Sequence, residues 1–176
     1  VKVGEYQVII SLKDKVNYVW SNGNSEDLTL SYAITKATNT FTTNPGLDKL
    51  TWHYGEESAV VTNGASTFGN VVVTILNAQG EELDKMPTNA GEYKVVFNVE
   101  ETENYTGLNV EIEFSIEIIE IAVPTLNKNT FVYTGNLIKP VVAENQLYTI
   151  SNEGNVNVGT YYVTLTSNEN YVWETN

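Results

Sequence analysis

The chain has 176 residues, 41% of them apolar and 11% aromatic, which is material for packed cores and argues against a disordered polymer. Nine lysines against 22 acidic residues leave a net charge of −13 with no arginine, which makes nucleic acid and anionic membranes poor partners and removes the usual bidentate phosphate ligand. There is no cysteine, hence no disulfide framework or thiolate metal site, and no apolar run reaches the roughly 18–20 residues that cross a bilayer.

The acidity serves solubility and mutual repulsion. An Asn-, Lys- and Ile-rich chain without Arg is equally what nucleotide bias in a source genome would produce. The opening Val1-Lys2-Val3-Gly4 is neither a signal peptide nor an initiator Met. The expectation is therefore an excised piece, with targeting segment and anchor outside the sequence.

In chain order, the first phrase is Val3-Gly4-Glu5-Tyr6-Gln7-Val8. Gly followed by Tyr-x-Val predicts a tight turn entering a half-buried strand, here Glu5 to Ile10, because Gly tolerates positive φ. Asn17-Tyr18-Val19-Trp20 closes this run, and Ser21 to Ser25 form a turn cluster. Leu28 to Ile34 then alternate cleanly and predict a second strand.

A linker-like stretch, Thr35 to Asn39, leads to an aromatic opening, Thr51-Trp52-His53-Tyr54-Gly55. Val71 to Leu76 predict a strand, and Asn77-Ala78-Gln79-Gly80-Glu81-Glu82 a hairpin turn. The phrase returns as Ala90-Gly91-Glu92-Tyr93-Lys94-Val95 and closes on Asn104-Tyr105. Val110 to Ile118 alternate with glutamates, which predicts a strand with one buried and one wet face.

A second linker-like stretch, Glu120 to Thr125, precedes a cognate opening, Thr130-Phe131-Val132-Tyr133-Thr134-Gly135. The third phrase is Val158-Gly159-Thr160-Tyr161-Tyr162-Val163, closing on Asn170-Tyr171-Val172-Trp173. No helical periodicity with caps appears, so the chain is expected to be all-β. Short strands between turn clusters, without cysteine, predict tandem β-sandwich units of the Ig-like class. A β-grasp-like module is the alternative and needs a helix, for which Ser58 to Gly69 is the poor candidate.

In register, residues 37–119 form one complete repeat. Residues 1–36 match the C-terminal half of a repeat, and residues 120–176 the N-terminal part of a further one. Two explanations stand for the half-units: trimmed or misplaced boundaries, or residues 1–36 completing residues 121–176 of the next chain, or of the same chain, by strand complementation.

The combination Tyr133-Thr134-Gly135-Asn136, Asn157-Val158-Gly159-Thr160-Tyr161-Tyr162-Val163 and Asn170-Tyr171, matched by Asn89 to Val95 and Asn104-Tyr105, resembles the MBG-type tandem Ig-like repeats of bacterial surface, adhesin-like proteins. Trp52-His53-Tyr54-Gly55 departs from the pattern, with Gly directly after Tyr. The resemblance implies an extracellular, cell-surface stalk or spacer, non-enzymatic, whose partners are neighbouring repeats, like chains, or a surface glycan or protein. A self-assembling fibre subunit and a carbohydrate-binding module are the competing expectations.

Candidate chemistry is sparse. His53 is the sole histidine, and no Gly-x-Ser-x-Gly accompanies it, so a strand residue near a turn is the expected role. Glu100, Glu101 and Glu103 and the row Glu111, Glu113, Glu117 are expected to be solvated rather than catalytic. Asn22, Asn24, Glu26 and Asp27 offer alternating oxygens for calcium, against the simpler expectation of an Asx-rich turn; no cofactor is otherwise expected. A Lys–Asn isopeptide cross-link is conceivable, although no pair is singled out. Tyr6, Tyr93 and Tyr161 are expected to fill cores, whereas Trp20, Trp52 and Tyr162 are the candidates for ligand contact.

Overall fold

The computed structural model describes residues 1–175. The architecture is all-β, with no helix among those residues. In chain order the strands are β1 (Gly4–Ile10), β2 (Leu28–Ile34), β3 (Phe41–Thr43), β4 (Gly46–Leu47) and β5 (Thr51–His53). Next come β6 (Val61–Thr62), β7 (Ala65–Ser66), β8 (Val72–Asn77), β9 (Glu82–Leu83) and β10 (Gly91–Val99). The last are β11 (Leu108–Glu117), β12 (Ile119–Ile121), β13 (Tyr148–Ser151), β14 (Thr164–Ser167) and β15 (Tyr171–Trp173).

The largest sheet has the order β5-β11-β10-β8-β9, and the remaining strands pair two by two. Strand β5 runs parallel to β11, with Ile116 opposite Trp52. The β8–β9 hairpin turns as expected: the Asn77 N–H donates to Glu81 O at 3.0 Å, and Gly80 takes a φ of 80° that a side chain would resist.

The chain forms two compact units, one of Val1–Gly46, Thr62–Val73 and Val96–Val110, the other of Leu47–Val61, Thr74–Val95 and Glu111–Asn176. Residues 37–119 are distributed over both. In the first unit Phe97 and Val99 are buried, and the Phe68 ring stacks on Tyr105. Asn39, 3% exposed, ties this core together: its Nδ2 donates to Phe68 O at 2.8 Å and its Oδ1 accepts from the Phe68 N–H at 3.1 Å. A buried amide satisfied on both sides specifies where the loop must sit.

In the second unit Trp52, Val95, Phe114 and Ile116 are buried, and Phe114 stacks against both Trp52 and Tyr93. A separate cluster holds Ile121, Val142 and Tyr148, flanked by Leu165, Tyr171 and Trp173. The alternation of β11 explains its burial: Ile112, Phe114 and Ile116 turn inward while Glu111, Glu113 and Glu117 stay wet.

Several expectations need correction. The stretch Ser58 to Gly69 holds the short strands β6 and β7 and no helix, which removes the helix a β-grasp would need. Both linker-like stretches contain paired backbone: Ala37 forms a parallel bridge with Tyr105, and Glu120 lies inside β12, parallel to β15, while residues 122–125 belong to no strand. Thr130 to Tyr133 form no strand, unlike their cognate Thr51–His53. The third phrase also differs, because its strand begins only at Thr164 and Tyr161 is exposed, not a core residue. Repeated sequence produces repeated strands only where a neighbouring strand supplies the backbone partners.

Candidate functional site

The feature that the fold builds twice is a joint around an asparagine. Gly4 and Gly91 adopt φ of 157° and 155°, and Tyr6 and Tyr93 fold back over them. The Tyr6 hydroxyl donates to Lys2 O at 2.6 Å, and the Tyr93 hydroxyl to Asn89 O at 2.9 Å. This lock orients the backbone N–H of the residue before each glycine. The Val3 N–H donates to Asn104 Oδ1 at 3.3 Å, and the Ala90 N–H to Asn170 Oδ1 at 2.7 Å.

The same two asparagines bind a second strand through their backbone. The Ala37 N–H donates to Asn104 O at 2.9 Å, and the Ile119 N–H donates to Asn170 O at 3.0 Å. Each asparagine thus collects one N–H from a Gly-x-Tyr phrase earlier in the chain and one from the segment that follows β2 or β11. The first joint lies wholly in the first compact unit and the second wholly in the second.

Side chains reinforce both joints differently. Lys2 pairs with Glu103 at 3.3 Å, and Lys36 pairs with Glu101. The Lys36 ammonium, hydrogen-bonding to Glu101, holds that carboxyl below its ordinary range. In the second joint Asn89 Nδ2 donates to Glu169 Oε1 at 3.2 Å, and Asn170 Nδ2 donates to Asn89 Oδ1 at 3.3 Å. Burial, with the Glu169 carboxylate adding to it, pushes the Tyr93 phenol up.

The Asn-Tyr ending is visible in the sequence as a closing mark, but its role as an acceptor for distant segments is not. Its partners lie 101 and 80 residues away. The recurrence of Asn before Tyr at all three closings was the available signal. Asn17, the first of them, is engaged locally: its Nδ2 donates to Asp14 Oδ2 at 2.7 Å.

The other singled-out residues are dispersed. Asn22 Oδ1 accepts from the Asn24 N–H and Asn24 Oδ1 from the Glu26 N–H, both Asx turns. Asp27 pairs with Lys15 at 2.6 Å, an interaction that lowers the pKa of its carboxyl. These oxygens are spent on the loop itself, and no group of three or more His, Cys, Asp or Glu among the described residues is placed to hold a metal ion. Trp52 is 4% exposed and belongs to the core, whereas Tyr162 is 87% exposed. Trp20 is half-buried, with its Nε1 donating to Glu26 O at 2.7 Å.

His53 stands at the surface between Glu117, 3.2 Å from Nε2, and Glu56, 3.8 Å from Nδ1. An open groove of about 890 Å³ beside it is lined by Glu92, Ser115, Glu117 and Glu169. Ser115 Oγ lies 3.4 Å from Thr51 Oγ1. Glu111 is paired with Lys94 at 2.8 Å, in keeping with a solvated face. The two buried asparagines, Asn39 and Asn170, hydrogen-bond to backbone groups, to Thr106 and to Asn89.

Compared with known protein families, with curated proteins and with solved structures, the chain has no match.

Proposed function

We propose that this chain is a run of tandem Ig-like repeats serving as a non-enzymatic stalk or spacer of a bacterial surface protein. The observation that carries the reading is the joint built twice with the same donors and acceptors, at Val3–Asn104–Ala37 and at Ala90–Asn170–Ile119. A spacer transmits load and position, and both require that successive repeats be tied by backbone contacts rather than by a flexible linker. The acid surface and the absence of arginine suit a solvated, non-sticking shaft. The chemistry of the surface adds to this, because its carboxylates are exposed or paired with lysine.

Pulling the chain between its ends with a force probe tests the proposal. The expected record has discrete unfolding steps, and Asn104→Ala and Asn170→Ala each lower the force of a different step. A featureless extension at low force, unchanged by either substitution, would rule the reading out.

A further inference from the structure

The dipeptide Asn-Gly occurs twice in the chain, at Asn22–Gly23 and at Asn63–Gly64. Such a pair is chemically labile, because a glycine offers no Cβ to hinder the approach of its nitrogen to the asparagine side-chain carbonyl carbon. In both pairs the glycine holds a positive φ, 82° at Gly23 and 76° at Gly64. The two sites share their residues and their local backbone. Their surroundings differ.

Asn63 and Gly64 connect β6 to β7, and both strands are paired, β6 with β4 and β7 with β3. A Cβ at Gly64 would lie 2.8 Å from both Thr43 O and Pro45 N, so the backbone joining β3 to β4 is laid directly against this peptide. Swinging the Asn63–Gly64 peptide therefore disturbs paired backbone on both sides. Asn22 and Gly23 are exposed, and the strands flanking them end at Ile10 and begin at Leu28. No described atom outside the chain neighbours lies within 4 Å of the place a Cβ would take at Gly23. The Asn24 N–H donates to Asn22 Oδ1 at 3.0 Å, which folds the carboxamide over the Gly23 peptide. The Gly23 N–H donates to Trp20 O at 2.8 Å, and a hydrogen bond at such an exposed loop tip opens at little cost.

We propose that Asn22–Gly23 is a site of spontaneous covalent modification, and that the fold shields the identical pair at Asn63–Gly64. The Gly23 nitrogen attacks Asn22 Cγ: the N–Cγ bond forms, the Cγ–Nδ2 bond breaks, and Nδ2 leaves as ammonia with the proton that the Gly23 nitrogen gives up. Solvent water then opens the cyclic imide. Addition at Cγ yields aspartate, and addition at the main-chain carbonyl of residue 22 yields isoaspartate, whose backbone runs through Cβ. No electron is transferred, and water is the sole reactant consumed. Either product adds one negative charge to a loop that already holds Glu26 and Asp27, and isoaspartate also lengthens the turn by one backbone carbon. The inference stands apart from the repeat reading proposed above, since it uses only the two loops.

The test incubates the full chain in warm, mildly alkaline buffer, folded and in concentrated urea, and follows both sites by peptide mass spectrometry. Cleavage after lysine puts them on separate peptides, residues 16–36 and 50–85. In urea, where the shared dipeptide alone acts, Asn22 and Asn63 are expected to convert at similar rates. Folding is expected to slow Asn63 by about tenfold or more, because its reaction waits on the opening of paired strands, and to leave Asn22 within a few-fold of its rate in urea. Asn22→Gln lengthens the side chain and disfavours the five-membered ring, so it removes the converted form of peptide 16–36 and leaves conversion at Asn63 as before. Equal or greater slowing at Asn22 on folding, or faster conversion at Asn63 than at Asn22 in the folded chain, overturns the inference.

Discussion

The Ala90 N–H donates to Asn170 Oδ1 across 2.7 Å, joining residues 80 apart in the chain. Asn170 is buried, and its Nδ2 is also engaged, by Asn89 Oδ1. Replacing Asn170 by Ala strands a partly buried donor, which costs about 1–3 kcal/mol. The corresponding bond to Asn104 is longer, at 3.3 Å, so Asn104→Ala is expected to cost less. Urea unfolding of the two variants compares them directly, and an equal loss would show that the side-chain bond is not what distinguishes the joints.

Gly91 combines a φ of 155° with the Tyr93 ring folded over it, so that an added Cβ would lie 3.3 Å from the Tyr93 hydroxyl. Gly91→Ala therefore meets both backbone strain and crowding, together about 1–3 kcal/mol. Tyr93→Phe removes only the hydroxyl, and its bond to Asn89 O, and should cost about 1 kcal/mol. A thermal melt in which both variants behave like the parent would contradict the lock described for the phrase.

Phe97 and Ile10 occupy equivalent places in β10 and β1, yet only Phe97 is sealed from solvent. Phe97→Ala opens a cavity in the core and is expected to cost about 3–5 kcal/mol. Ile10→Ala, measured on dilute protein, is expected to cost under about 1 kcal/mol because the side chain is already half in water. Comparable losses at the two sites would mean that the β1 face is covered in the isolated chain.

Two groups beside the joints contribute to the pH dependence. The Glu101 carboxyl is held below its ordinary 4.5 by Lys36, so the folded state binds its proton less tightly than the unfolded one. The stability it contributes is present above that ordinary value and is lost as pH falls through the lowered one. Lys36→Met should flatten this acid limb. For Tyr93 the sign is opposite: its phenol is raised above 10.0, so its contribution is complete below that value and disappears as pH climbs through the raised one. Denaturant midpoints across acid pH, and phenolate absorbance of the parent against Tyr93→Phe at alkaline pH, measure the two limbs.

Much of the strand pattern was legible from side-chain alternation alone. Leu28–Ile34 is the same span in sequence and structure, and β1, β8 and β11 lie within two residues of their expected positions. A period of two places alternate side chains on opposite faces wherever the backbone is extended, and that property is local. The unreadable parts are those where local pattern was equal and surroundings were not. Val8 and Val95 follow the same phrase, but only Val95 has Trp52 and Phe114 in the unit around it.

The candidate site divides along the same line. Asn104-Tyr105 and Asn170-Tyr171 were visible as recurring words, and Gly4 and Gly91 as the turn positions that need positive φ. That Asn104 and Asn170 each gather an N–H from two distant segments was not, because hydrogen-bond partners 51 or more residues apart leave no periodic trace. Nor did composition show that Trp52 lies in a core while Tyr162 faces water. By itself the sequence determined strand periodicity, turn positions and the recurrence of one phrase, since these depend on steric preference and alternation within a few residues. Tertiary structure alone decided which copies of a recurring phrase are buried and which asparagines become joints, because burial and pairing are properties of what folds against a strand.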